Sequence, residues 1–419
     1  MTSSHFRANA VSPPAMAEHL DALRSHASGE TVLPRRVALL TNYIAPYFLP
    51  VLRVLSDSLQ DFQVFVSTTE EKGRPWEAKW EGVNVTVQRS LTTQNSHKFK
   101  EGFTERFERH FPYDTLPLLF RYRPDAIVSA QLGFRTIQAA IYRLINPSCR
   151  LVIWADLSVH TEREIGRARS LIRRFLLKAA DAVLVTGKSG FEYIQRIGVP
   201  KERIYIAPYV TDVPLFQSAS LAKADQVARR LLYAGQIIER KGLEQFLKAL
   251  SEWGESHKNK MVEMWFVGDG PLRNTLEAFP APSNVMLRFF GNVPYDKIQK
   301  YFECAGIFVL PTLADTWALV VNEALASGLP VLGSRYSQAV EELVQDGTNG
   351  WTFHPDNPTE LREALTAALE CPVSRLRELS TAARELSAHL TPAYSARCFL
   401  RAIAPTTSFQ DHSEAFAHE

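Results

Sequence analysis

The chain has 419 residues, 46% of them hydrophobic and 22% charged, and a formal net charge of +2. This is the composition of a globular protein too long for one ordinary core, so two domains are expected. It excludes a disordered chain and gives no sign of nucleic-acid binding.

The first residues, MTSSHFRANAVSPPAM, lack the apolar stretch of a signal peptide, and residues 1–33 read as a flexible extension. From Arg35 onward, short apolar runs alternate with helical stretches. RRVALLTN, FQVFVS, DAIVSA, RLVIWAD, DAVLVTG and RIYIAP are the runs of a first series. LLYAGQ, EMWFVGDG, VMLRFFGN, GIFVLPT and LPVLGS form a second. Continuous apolar strands separated by helices predict parallel sheets covered on both faces. The expected class is therefore α/β, with two Rossmann-like, doubly wound domains facing across a cleft. The boundaries drawn are 34–210 for the N-terminal domain, 211–227 for a linker and 228–388 for the C-terminal domain. A C-terminal helix at 389–404, crossing back toward the N-terminal domain, and a flexible tail at 405–419 complete the chain. No run of about 18 apolar residues predicts a membrane-spanning helix. Cys149, Cys304, Cys371 and Cys398 lie far apart, without the spacing of a disulfide framework or a zinc site. A reducing, cytoplasmic setting is expected.

Ligands of doubly wound sheets bind at the carboxyl ends of the strands, so the cleft is the expected site. Three features point there in the second domain. In AGQIIERKGLEQF a strand ends at Gly235 and a helix begins near Lys241-Gly242. A Lys at a helix start opposes the helix dipole, and a phosphate would explain it. In FVGDGPLRN the turn Gly268-Asp269-Gly270 suits either close phosphate approach or a plain tight turn. In ADTWALVVNEALASGLPV the acids Asp315 and Glu323 bracket an apolar stretch. An unpaired buried carboxylate is costly, so Glu323 calls for a function. Eight residues at about 100° each put the two acids on adjacent faces of one helix. Backbone N–H groups near Trp317-Ala318-Leu319 offer an anion site, and carboxylates accept paired hydrogen bonds from vicinal hydroxyls. Cation, amides and acids together read as a site for a nucleotide sugar.

These residues carry a family resemblance. GQIIERKG, GDGP, DTWALVVNEALASGLPV and EELVQDGTNGW resemble the retaining glycosyltransferases of family 4, with GT-B architecture. The likeness covers residues 35 to 400 and is most specific in the C-terminal half. It implies transfer of a sugar from a UDP- or GDP-linked donor to a hydroxyl acceptor, with retention of configuration. By this resemblance Glu323 holds the ribose hydroxyls, Asp315 contacts the donor sugar and Lys241 holds the diphosphate. The expected donor site comprises Gly235, Gln236, Arg240, Lys241, Gly268, Asp269, Gly270, Asn292, Val293, Asp315, Trp317, Ala318, Leu319, Val320 and Glu323. Two departures stand out. The common Arg after the first Gly is Gln236; Arg240, beside Lys241, either compensates or points to solvent. The usual Glu is Asp315, and Trp317-Ala318 replaces the usual Gly of its loop. A weakened binding or scaffold protein, or a nucleotide-sugar epimerase, is the alternative function.

No Asp-x-Asp pair for Mg²⁺ or Mn²⁺ was found, so the expected enzyme is metal-independent and needs no cofactor beyond its donor substrate. In the N-terminal domain His160, after the strand LVIWAD, is the candidate contact for the donor sugar. Asp156 competes with it and is the candidate acceptor-side group. The catalytic set expected is Lys241, Asp315, His160 and Asp156. The acceptor is expected to be a sugar, a lipid-linked sugar or a small molecule. Residues 35–210 carry 26 Lys and Arg against 17 Asp and Glu. Helix 166–180, GRARSLIRRFLLKAA, places Leu171, Ile172, Phe175, Leu176 and Ala179 on one side. Arg167, Arg169, Arg173, Arg174 and Lys178 fall on the other. That basic side is either solvated or docks peripherally on an anionic membrane.

Overall fold

The computed structural model describes residues 33–70, 79–98, 104–162, 167–217 and 227–404. Residues 1–32, 218–226 and 405–419 lie outside them, and with them the expected tail, nearly all of the expected extension and much of the expected linker.

The N-terminal domain runs β1 (Arg36–Thr41), α1 (Leu49–Ser58), β2 (Asp61–Val66), β3 (Asn84–Val87), β4 (Ser90–Lys98), β5 (Thr104–Pro112), α2 (Thr115–Tyr122), β6 (Ala126–Ala130), α3 (Phe134–Ile145), β7 (Arg150–Trp154), α4 (Arg167–Ala179), β8 (Ala182–Val185), α5 (Lys188–Arg196) and β9 (Ile204–Ile206). Its seven-stranded sheet has the order β3-β2-β1-β6-β7-β8-β9, with every neighbour parallel. β4 and β5 pair as a separate antiparallel hairpin. β6 and β8 are buried at every position, because helices cover both faces of the sheet.

The second domain begins after α6 (Val213–Gln217), which occupies part of the expected linker. It contains β10 (Arg230–Ala234), α7 (Leu243–Ser256), β11 (Val262–Val267), α8 (Arg273–Glu277), β12 (Val285–Gly291), α9 (Gln299–Glu303), β13 (Ile307–Leu310), α10 (Val320–Ala326), β14 (Val331–Ser334), α11 (Gln338–Leu343), β15 (Gly350–Phe353), α12 (Pro358–Leu369) and α13 (Val373–Ser387). Its six strands lie in the order β12-β11-β10-β13-β14-β15, all parallel. Both sheets are thus doubly wound, and each reverses strand order beside its first strand.

The last helix, α14 (Pro392–Ile403), returns to the N-terminal domain. Thr391 caps it by accepting from the Tyr394 N–H at 3.2 Å. Buried Phe399 stacks edge-on to Trp154, with centroids 5.1 Å apart, and lies 5.9 Å from Phe48. Arg150 Nε donates to the Ala402 carbonyl at 2.9 Å. Full burial of a Phe of this kind contributes about 1.5–3 kcal/mol, enough to fasten a helix across a domain boundary.

Two expectations are corrected. The helix after β13 does not carry both acids: α10 begins at Val320, and Asp315 precedes it in a loop bridged to Ser337. Ala318 adopts φ 70, outside the helical region, so the helix cannot extend back to Asp315. The second correction concerns α4. Leu171, Ile172 and Phe175 are 68%, 50% and 63% exposed, not packed in the core. Leu176, Leu177 and Ala180 face inward instead, together with buried Arg173, which pairs with Glu162. The helix has two apolar arcs, and the one that fits the sheet is Leu176-Leu177-Ala180.

Candidate active site

The strand order places the site. β1 is flanked by β2 and β6, and β10 by β11 and β13. A crevice therefore opens beyond the carboxyl ends of these strands in each domain. The two crevices face each other across one cavity of about 1370 Å³. That exceeds the roughly 300–1,000 Å³ of a typical single-ligand pocket.

The C-terminal wall comes from the loops after β10, β11, β12 and β13. Gly235, Gln236, Arg240 and Lys241 follow β10, and Gly268, Asp269 and Gly270 follow β11. Asn292 and Val293 follow β12, and the stretch Asp315 to Val320 leads into α10. Glycine is required where these loops touch. Gly268 has φ +133, and a Cβ there would lie 2.0 Å from the Gly235 carbonyl oxygen. Gly242, at φ +64, would bring a Cβ to 2.2 Å from the Pro311 carbonyl oxygen. The glycines thus let the two loops close onto one floor.

The charges on this wall answer one another. Lys241 Nζ donates to Asp315 Oδ2. Arg240 Nη1 lies 3.3 Å from the same oxygen and donates to the Ala314 carbonyl at 2.8 Å. Burial pushes the Asp315 carboxyl up, but Lys241 and then Arg240 outweigh it and hold it well below the ordinary value. Arg240 thus stands beside Lys241, next to the position where Gln236 supplies no charge. Trp317 is buried, and its Nε1 donates to Asn322 Oδ1 at 2.9 Å.

Glu323 lies deeper than the wall. It is buried, and the cavity surface at that point is formed by its hydrogen-bond partner Tyr295. The Tyr295 hydroxyl is also 3.3 Å from Thr211 Oγ1. Burial raises the Glu323 carboxyl to about 7, although the Tyr295 hydrogen bond opposes the shift.

The N-terminal wall uses the loops after β1, β6 and β7. Asn42, Tyr43, Tyr47 and Phe48 follow β1, Gln131 follows β6, and Trp154, Asp156 and Thr161 end β7 and its loop. Gln131 has φ 67, a costly backbone for a residue with a side chain. Three bonds hold it there. Its N–H donates to the Trp154 carbonyl at 2.8 Å, and its own carbonyl accepts from Thr136 Oγ1 at 2.6 Å. Its Oε1 accepts from Asn42 Nδ2 at 2.9 Å.

Asp156 is set between the domains. Its Oδ2 is 3.4 Å from the Tyr209 hydroxyl and 3.5 Å from Thr316 Oγ1 of the other wall. Its Oδ1 has no hydrogen-bond partner. Burial, and then the negative charge of Asp315, raise its carboxyl to about 7. Asn42 Oδ1 and Trp154 Nε1 are likewise buried without partners. His160 is placed elsewhere. Its ring stacks on Tyr336, centroids 4.3 Å apart, while Thr161 beside it reaches the cavity.

The structure therefore brings Lys241, Asp315 and Asp156 together and leaves His160 to one side. Asn42, Gln131, Trp154, Tyr209 and Tyr295 were not among the residues expected from sequence. Gln131 and Asn42 share a signal that could have found them: each is a polar residue directly after a mostly apolar, buried strand.

One amide joins the two walls. Gln338, at the start of α11, is fully buried. Its Nε2 lies 3.0 Å from the Leu157 carbonyl and 3.1 Å from Thr186 Oγ1, and also reaches the Thr316 carbonyl. Its Oε1 accepts from the Gly190 N–H at 2.9 Å. Among the described residues no three of His, Cys, Asp or Glu converge on a metal-sized site. No described helix is long and apolar enough to cross a membrane.

Comparison with known proteins agrees with this geometry. Residues 228–371 match the family model for glycosyl transferases group 1. Residues 45–209 match the glycosyl transferase 4-like domain. Sulfoquinovosyl transferase SQD2 of Arabidopsis thaliana is 25% identical over 364 residues, covering 79% of this chain and 67% of that protein. Alpha-D-kanosaminyltransferase of Streptomyces kanamyceticus is 24% identical over 221 residues, 50% of this chain and 56% of that one. Among solved structures, the lipopolysaccharide outer core galactosyltransferase WaaB superposes with a TM-score of 0.66 at 12% identity, covering 88% of this chain and 99% of that one. Anabaena HepE in complex with UDP-glucose superposes at 0.63 with 14% identity, covering 88% and 98%. At such identities the structural likeness speaks for the fold, while the two family models cover both walls of the cleft. The chain belongs to the group 1 glycosyltransferases and has their GT-B architecture.

Proposed function

We propose that this protein transfers a sugar from a UDP-linked donor to a hydroxyl acceptor, with retention of configuration and without a metal ion on the diphosphate. The observation that carries the reading is the convergence of Lys241 and Arg240 on one wall of the cavity, with Asp156 on the other. Breaking the anomeric C–O bond sends its electron pair onto the diphosphate. Two fixed cations beside that oxygen stabilise the growing charge, the kind of electrostatic preorganisation that contributes most to such reactions. The acceptor oxygen bonds the anomeric carbon on the same face that the diphosphate leaves, as retention requires, and its proton passes to the Asp156 carboxylate, whose raised proton affinity suits a general base near neutral pH. Glu323 takes the ribose hydroxyls once the Tyr295 hydroxyl yields its place. The choice of UDP is supported by the likeness to HepE, solved with UDP and with UDP-glucose.

The test is to incubate the protein with UDP- and GDP-sugars, with and without EDTA, and to follow nucleotide release and the anomeric proton of the product. Release of UDP that survives chelation, with an unchanged anomeric configuration, is the expected result. Isomerised sugar without nucleotide release would mean an epimerase, and binding alone a scaffold. A strict requirement for Mg²⁺ or Mn²⁺ would refute the metal-free scheme.

A further inference from the structure

On the face of the N-terminal sheet opposite α1, helices α2, α3 and α4 lie side by side. α3 turns Phe134, Ile137, Ile141, Leu144 and Ile145 outward in one stripe, the spacing of a single helical face. α4 adds Leu171, Ile172 and Phe175, and α2 adds Phe120, whose ring packs 5.2 Å from Tyr142 of α3. Isolated exposed apolar residues are ordinary on a protein surface, but a contiguous ridge of this size marks an interaction site. Arg174 and Lys178 on α4, and Arg121 and Arg123 at the end of α2, are exposed around it. The sequences of α2, α3 and α4 contain no Asp or Glu.

We propose that this ridge is a bilayer-docking surface, which sinks its apolar side chains into an anionic leaflet while the basic rim meets the lipid headgroups. An apolar centre with a basic border is the pattern of helices that lie in a membrane interface. Two further observations select a leaflet over a second copy of the chain. A twofold contact through this face would set each basic rim against another. The ridge is also continuous with the acceptor wall, since α3 begins three residues after Gln131, and the loop entering α4 carries Asp156 and Thr161. The docking mode inverts the sequence expectation: the apolar side of α4 makes the contact, and its basic residues flank it. This deepens the proposed function by naming a source for a lipid-borne acceptor, yet its test needs no turnover.

The experiment is sedimentation of the full chain with vesicles of phosphatidylglycerol and phosphatidylcholine in equal parts, and with phosphatidylcholine alone. The wild type is expected to sediment with the mixed vesicles and to retain part of that binding at high salt, because burial of apolar surface is not screened. Leu171→Ser with Phe175→Ser should cut partitioning on the order of a hundredfold, given the transfer free energy of two large apolar side chains. Arg174→Gln with Lys178→Gln should lower binding to the mixed vesicles by roughly tenfold or more, and leave binding to phosphatidylcholine alone unchanged. Both pairs of residues are exposed, so melting temperature and donor hydrolysis should match wild type and verify the fold. A wild type that stays in the supernatant with both vesicles overturns the proposal. So does a dimer in sedimentation velocity that the Leu171 and Phe175 substitutions dissociate, which would assign the ridge to a second copy.

Discussion

On the C-terminal wall of the cleft, Lys241, Arg240 and Asp315 satisfy one another. On the N-terminal wall Asn42 Oδ1, Trp154 Nε1 and Asp156 Oδ1 are buried with no hydrogen-bond partner among the described residues. The difference says what each side waits for. On the proposed function the C-terminal wall is the donor side and arrives assembled, and a diphosphate would take Lys241 and Arg240 away from Asp315. The N-terminal wall, the acceptor side on the proposed function, carries unmet hydrogen-bonding capacity, at a cost of about 1–3 kcal/mol for each buried orphan, which a polyhydroxyl acceptor would relieve. One wall is built to exchange partners, the other to acquire them.

The largest effect expected from breaking this contrast is that of Lys241→Ala. Turnover should fall by on the order of 10²-fold or more, as when one electrostatic stabiliser is lost, with little change in donor affinity. Steady-state kinetics check it: a raised KM with unchanged kcat would mean that Lys241 binds ground and transition states alike.

Asp156→Asn should depress transfer by a similar order and sharpen the contrast in a second way. The folded carboxyl titrates near 7, against an ordinary value of 3.8. Between these values the unfolded chain has released the proton and the folded one keeps it, so this group's contribution to stability declines as pH rises through that window. The Asn variant should therefore melt a few degrees above wild type at pH 8 but not at pH 4. Wild-type transfer should rise with pH through about 7, as the base ionises; a flat profile would remove Asp156 from proton transfer.

Glu323→Gln should weaken UDP binding roughly tenfold, because an amide accepts hydrogen bonds less strongly than a carboxylate. Titration calorimetry measures this, and an unchanged Kd would detach Glu323 from the ribose. Gln131→Ala, on the opposite wall, should raise acceptor KM severalfold as the Asn42 amide loses its anchor, with donor hydrolysis unaffected. A matching rise in donor KM would place Gln131 on the donor side. The smallest effect is a gain: Ala318→Gly relieves φ 70 and should stabilise the fold by about 1 kcal/mol in denaturant titration.

The two walls also differed in how far sequence could reveal them. Parallel strands were legible in runs such as DAVLVTG because both faces of the sheet are buried. The C-terminal cavity wall was legible because its lining residues sit in short contiguous segments: Gly235 to Lys241, Gly268 to Gly270, and Asp315 to Val320. The N-terminal wall gathers single residues after β1, β6 and β7, so no contiguous motif marks it and only the polar residue after each strand hints at it. His160 shows the limit: its place after β7 puts it between the domains, as expected, yet its ring stacks on Tyr336 of the C-terminal domain rather than lining the cavity. The orientation of α4 was hidden for a related reason: Leu171-Ile172-Phe175 and Leu176-Leu177-Ala180 are both apolar arcs, and only the shape of the sheet beneath selects between them.

Gln338 acts as a spacer. Its one amide touches Leu157 and Gly190 of the N-terminal domain and Thr316 of the C-terminal domain at once, so its length helps to fix the gap between the walls, together with the Lys188–Glu342 and Asp156–Thr316 contacts. Thr316 adjoins Asp315, and Leu157 adjoins Asp156, which makes this a gauge of the distance across which the sugar must travel. Gln338→Asn, shorter by one methylene, keeps the amide but cannot reach both sides. The walls should then drift apart, and small-angle scattering should record a larger radius of gyration. Transfer should decline more than donor hydrolysis, since only the two-substrate reaction depends on the width of the gap; equal losses in both would show that the gap is set elsewhere.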